Sequence, residues 1–206
     1  MKEEGGKRLG RGADGVCTYG LLLGLMGSKA EFVADKLEAL QKVALTDDSA
    51  ASITLGFALA RIDPKRADRA LRTLFKRYPA IFEDFGRGTL VVLSEHIYLL
   101  TDRSISTRLA GMVKDPDVTI ADGAILSLAC AGLAASDAVP ALLEHFRKGA
   151  NKSTRVKLAE CLGSIAQFDQ LPLLEQLIAE ERSRSERRAL RTAVDSIRFL
   201  GTVQKK

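Results

Sequence analysis

A repeat constrains this chain more than any other feature. Residues 151–178 read NKSTRVKLAECLGSIAQFDQLPLLEQLI, and Leu158, Leu162 and Ile165 fall at i, i+4 and i+7, on one helical face. Moved forward by 32 residues, the trio becomes Leu190, Val194 and Ile197; moved back by 32 it becomes Leu126, Cys130 and Leu133. The second half of the stretch maps backward too: Asp169, Pro172, Leu174 and Ile178 become Asp137, Pro140, Leu142 and Phe146. A further 33 residues back lie Leu93, Ile97 and Leu100, then Leu109 and Val113. Another 38 back lie Leu55, Leu59 and Ile62, then Leu71 and Phe75. Self-similarity at this period marks an array of supersecondary units. One unit cannot bury its apolar face alone, so stacking must make the core.

Helix punctuation agrees with the period. Asn151 or Ser153 can cap one helix, and Pro172 opens the next in a first turn where its missing N–H costs nothing. Asp63-Pro64 repeats that device, Asp117 can cap the helix after Pro116, Ser183 with Glu186 forms a capping box, and Gly201 is expected to stop the last helix. The pattern predicts helices over 14–26, 30–44, 48–61, 64–77, 88–101, 103–113, 118–132, 137–148, 152–166, 170–181 and 184–200. TLVVLSEHIYLL (89–100) is β-branched, but Leu93, Ile97 and Leu100 keep it in the helical register, and no strand is expected. In the first unit the candidate core is Leu21, Leu25, Val33, Leu37 and Leu40, with Gly20 and Gly24 placed to let helices approach closely. The expected organisation is a flexible N-terminus (1–13), one helical domain (14–201) and a tail (202–206).

Composition narrows the function class. Of 206 residues, 28% are charged and 5% aromatic, with no Trp and a net charge of +5. That charge permits an acidic partner or nucleic acid and demands neither. Cys17, Cys130 and Cys161 are an odd, scattered set without a CxxC, which points to a reducing compartment. The apolar run VCTYGLLLGLMG (16–27) is shorter than the roughly 20 residues a bilayer span needs. With Lys7, Arg8 and Arg11 ahead of it, the run also fits a signal-peptide core. Glu3, Glu4 and Asp14 argue against that, and the run continues the helical series.

LAECLGSIAQFDQLPLLEQLI (158–178) and LACAGLAASDAVPALLEHF (128–146) share a pattern: a small or Gly residue near the end of the first helix, Asp in the turn, and Pro opening the second helix. On these residues the chain resembles the HEAT-repeat family, in its short bacterial, phycobilisome-lyase-like form. The resemblance covers 110–200 best and 14–110 more loosely. It implies an all-α fold: a right-handed α-solenoid of about five antiparallel A/B helix pairs plus a terminal helix, with B helices lining a groove. It specifies fold rather than activity.

Candidate chemistry is sparse. His96 and His145 are the only histidines, with no nucleophile or ligand set spaced around them, and Cys130 stands at a core position. HEAT-like arrays include alkylpurine DNA glycosylases and phycobilin lyases, but no Asp-plus-aromatic motif like the glycosylases' is present, and no lyase residue transfers. We therefore expect no enzyme, no cofactor and no metal.

The basic stretches are more informative. Segment 64–77 reads PKRADRALRTLFKR, and Arg69, Arg72 and Lys76 recur at helical spacing beside Arg66. If B helices line the groove, these four face it. The insertion YPAIFEDFGRG (78–88) adds Phe82 and Phe85 as candidate interface anchors. Segment 184–200 adds Arg184, Arg187, Arg188, Arg191 and Arg198, a wet face suited to a solenoid end. The expected function is a cytoplasmic, non-catalytic protein–protein scaffold or adaptor that takes an acidic or amphipathic partner on Arg66, Arg69, Arg72, Lys76, Phe82 and Phe85. The alternative is a nucleic-acid-binding protein using the same Arg/Lys patches on phosphates. No membrane partner is expected.

Overall fold

The computed structural model describes residues 10–47, 49–77, 102–148 and 150–203. Every regular element among them is helical, and none is a strand. The chain divides between Leu99 and Leu100 into two compact units. The expected helix over 88–101 lies outside the described residues, as do Phe82, Phe85 and His96.

The first unit holds α1 (Gly10–Met26), α2 (Ala34–Asp47), α3 (Ser49–Ile62) and α4 (Ala67–Arg77), with a 3-10 segment, Gly27–Val33, between α1 and α2. Helix α3 is its centre, with α1, α2 and α4 packed around it. Its apolar residues are therefore buried on all sides, from Ile53 and Leu55 through Phe57 and Leu59 to Ile62. Each such side chain contributes roughly 1.5–3 kcal/mol relative to exposure. Gly20 of α1 lies where a Cβ would sit 3.1 Å from Thr54 Cγ2, so the expected close approach is present. That contact turns the glycine face inward. Leu25 is left 47% exposed, beside exposed Tyr19, Leu22 and Met26. Ala30 of the 3-10 segment and Ala34, Leu37, Gln41 and Ala44 of α2 form the buried stripe, while Leu40 is exposed. Short side chains win here because the backbones lie close.

The second unit holds α5 (Arg103–Met112), α6 (Val118–Ala131), α7 (Val139–Lys148), α8 (Lys152–Ile165), α9 (Leu171–Glu180) and α10 (Arg184–Val203). Helix α8 packs on α6 and on α10, so first helices of successive pairs lie side by side, and α9 closes against α10. The repeat trios meet in this layer: Leu158, Leu162, Ile165, Leu190, Val194, Ile197 and Leu126 are all buried. Their partners Leu109, Val113, Leu142, Phe146 and Leu174 are buried too.

Most caps are as expected. Asp117 accepts from Thr119 N at 3.1 Å, and Asn151, rather than Ser153, accepts from Thr154 N at 2.9 Å. Pro172 stands in the first turn of α9. Four positions differ. Pro64 stands in a turn ahead of the helix that starts at Ala67, rather than at its first helical position. The Ser183–Glu186 box is rearranged: Glu181 Oε1 accepts the Ser183 N–H at 2.7 Å, and Glu186 accepts the hydroxyls of Ser183 and Ser185. Gly201 does not stop α10, which runs to Val203. Leu133 leaves the core, at 42% exposed, because Gly132 (φ 58°, ψ −144°) breaks the helix immediately before it. That glycine also divides Val118–Lys148, the one helical run among the described residues with the length and hydropathy to cross a membrane. The run is thus a 14-residue helix, a 3-10 segment and a 10-residue helix, each shorter than the roughly 20 residues a span requires.

Candidate functional site

Helix α4 forms because Ala67, Ala70, Leu71, Leu74 and Phe75 repeat on one face and all bury against the unit. Asp63 holds the entering turn through Lys65 N at 2.9 Å. The basic residues are thereby pushed to the outside, as the spacing predicts. They meet the acidic side of α2 there. Arg66 touches three carboxylates: Asp35 at 2.5 Å, Asp63 at 2.8 Å and Glu38 at 3.1 Å. Arg69 reaches Glu38 at 3.0 Å. Arg72 and Lys76 are exposed on the same helix and also make contacts within the chain. Two of the four candidate cations are therefore already neutralised by the helix one pair earlier.

The same arrangement recurs in the second unit. Lys114 of the turn after α5 pairs with Glu144 of α7 at 2.6 Å, and Arg147 of α7 with Glu180 of α9 at 3.4 Å. Among first helices, Lys157 of α8 pairs with Asp122 of α6 at 2.5 Å. These partners, like Glu38 with Arg66 and Arg69, are separated by 28 to 35 residues, the spacing of the repeat. Charge on these helices thus serves as a ladder between neighbouring pairs. Each exposed rung is worth about 0–1 kcal/mol, so the ladder sets register more than stability.

One basic cluster stands outside this ladder. Helix α10 buries Leu190, Ala193, Val194 and Ile197, which leaves Arg184, Arg188 and Arg191 exposed on the opposite side and Arg187 half-buried. The four arginines frame an open hollow of about 520 Å³ near the start of the helix. Arg187 donates to the Arg182 carbonyl at 3.3 Å, and among the described residues no carboxylate pairs with any of the four. The two acids of the adjoining chain, Glu181 and Glu186, are engaged elsewhere, whereas Glu160 and Asp195 stand near the arginines without pairing with them. Glu186 is buried under the Ser183 and Ser185 hydroxyls, which hold its carboxyl below the usual range. Glu181 is buried against Arg155, whose guanidinium also lies 4.4 Å from the Phe146 ring centroid. Farther along α10, Arg198 pairs with Glu175 at 2.6 Å. The first turns of α10 add the positive end of the helix dipole to the four guanidinium groups.

Beside the hollow runs a groove of about 530 Å³ between α8 and α10, lined by Val156, Gly163, Ala189 and Ala193, with Arg188 common to both. Its hydroxyls are turned back onto their own helices: Thr192 donates to the Arg188 carbonyl, Ser196 to the Thr192 carbonyl and Ser164 to the Glu160 carbonyl. The groove is therefore poor in free donors.

The remaining sequence candidates for chemistry are placed as follows. His145 is half-buried on α7, and desolvation together with the nearby Lys114 lowers its pKa. Cys161 is buried and its thiol is pushed well above its ordinary value; Cys130 is pushed up to about 11 by burial. A thiol so shifted is a poor nucleophile at neutral pH. Among the described residues no three His, Cys, Asp or Glu side chains gather where they could hold a metal ion. No protein-family model matches the chain, and neither a curated protein nor a solved structure matches it.

Proposed function

We propose that the protein is a non-catalytic interaction scaffold, a HEAT-like α-solenoid that works in the cytoplasm and takes an acidic or amphipathic protein partner on a rigid basic surface. The observation that carries this reading is the contrast between two basic helices. Charges on α4 are drawn into the ladder that joins successive helix pairs, whereas the arginines at the start of α10 form no ion pair among the described residues. Guanidinium groups held on a packed helix lose little freedom when a partner docks. Arg72 and Lys76, with Phe82 and Phe85, stay in the proposal as a second contact surface, and Arg66 and Arg69 support it through α2.

Affinity capture from native lysate, with and without nuclease, tests the reading. A protein partner that survives nuclease is expected, and Arg188→Glu with Arg191→Glu should release it. The alternative is nucleic-acid binding, favoured by the same unpaired arginines. It requires co-purifying proteins to vanish with nuclease.

A further inference from the structure

We propose that the four-arginine hollow and the adjoining α8–α10 groove are one bipartite docking site for an acidic peptide that carries an apolar side chain next to its carboxylates. This inference rests on the protein-scaffold reading and names the partner's chemistry. The hollow supplies four guanidinium groups and no neutralising carboxylate. Guanidinium forks bind carboxylates in a bidentate manner and therefore orient them. Arg184 to Arg191 is seven residues, about 10 Å along the helix axis. That length accommodates two or three carboxylates of a short segment rather than a long phosphate track.

The groove supplies the second half. Arg188 lines both the hollow and the groove, so the groove is within reach of a side chain adjacent to a carboxylate docked on Arg188. Val156, Ala189 and Ala193 line it, with Gly163 packed close against the Ala193 backbone. Thr192, Ser196 and Ser164 have spent their hydroxyl protons on helix carbonyls, so an apolar occupant leaves no donor unsatisfied. Glu160 stands on the α8 rim and Asp195 follows Arg191 by one turn; both are exposed and unpaired. Both repel an acid placed beyond the hollow. They fix which end of the peptide lies on the arginines. A nucleic-acid backbone would run past the hollow onto these acids, which favours the peptide.

The test uses the full chain and a fluorescein-labelled peptide with a run of three alternating Glu and Asp residues followed by one Leu and an uncharged tail. Comparison probes are the same peptide with Ser in place of that Leu, and an oligothymidylate. Fluorescence anisotropy at low salt should show the Leu peptide binding about tenfold tighter than the Ser peptide. Arg188→Glu with Arg191→Glu should abolish binding of both peptides. Ser164→Trp, which fills the groove from an exposed position and leaves the arginines intact, should remove only the preference for Leu. Equal binding of the two peptides, or a preference for Leu that survives Ser164→Trp, overturns the proposal. So does tighter binding of the oligothymidylate than of either peptide. Ser164→Trp as bait in the lysate capture separates the two ideas. A partner kept by that bait leaves the scaffold reading standing without this groove. The absence of any nuclease-resistant protein from every bait sinks the scaffold reading itself.

Discussion

Gly163 on α8 lies so close to Ala193 on α10 that a Cβ at the glycine would sit 2.9 Å from the Ala193 Cα. The obstacle is backbone, which cannot swing aside as a side chain can. Gly163→Val should therefore destabilise the second unit by about 1–3 kcal/mol, although it removes a helical glycine. Gly111 in α5 has nothing within 4 Å of its would-be Cβ. Gly111→Ala should stabilise by about 0.5–1 kcal/mol through helix propensity and a stiffer unfolded chain. Urea unfolding followed by circular dichroism measures both, and equal signs for the two variants would contradict the packing.

Arg155 serves two neighbours, the Phe146 ring and the buried Glu181 carboxylate. Arg155→Met should cost about 3–5 kcal/mol, mainly because it strands a charge at a site 8% exposed. The double variant with Glu181→Gln should recover a large part of that loss. A double-mutant cycle decides, and strict additivity would rule out the pairing.

Glu38 joins Arg66 and Arg69 to α2. Glu38→Ala should lower stability by only about 0–1 kcal/mol and should leave helical content unchanged. Because it frees Arg69 and takes one of three carboxylates from Arg66, it should also strengthen binding of any acidic partner that docks on α4. Unchanged affinity would separate α4 from the interaction surface.

Acid should weaken the fold in two windows. The His145 pKa is lowered below 6.5 by desolvation and Lys114, so the unfolded chain takes up that proton first. Stability is therefore full above about 6.5 and falls as pH drops through the folded pKa. Glu144 is lowered by Lys114 and Lys148, and Glu186 by Ser183 and Ser185, each from 4.5. Their contributions are lost as pH falls below the carboxylate range. His145→Gln should flatten the upper window alone in a series of urea midpoints against pH.

Burial that raises the Cys130 and Cys161 thiols should also protect them. Iodoacetamide at pH 7.5, read by mass spectrometry, should modify Cys161 only on unfolding and Cys130 slowly. Fast labelling of Cys161 in the native protein would show that its site opens.

Much of this protein was written in its sequence. Helix type, approximate helix ends and most of the core follow from local rules, because a period near 3.6 and a cap within four residues need no distant information. Leu158, Leu162 and Ile165 predicted both themselves and their counterparts one repeat away, and all but the Cys130 and Leu133 of those described are buried. The failures share one cause. Leu25, Leu40 and Leu133 are apolar and correctly spaced, yet exposed, since the neighbouring helix or a single glycine decides which face turns inward. The same holds for charge. Sequence shows that 64–77 and 184–200 are both rich in basic residues, and it treats them alike. Only tertiary packing distinguishes them, because Asp35 and Glu38, which join Asp63 in neutralising Arg66 and Arg69, lie about 30 residues away and reach them from a neighbouring helix. The start of α10 keeps its charge because Glu186 turns inward and Glu181 is engaged by Arg155.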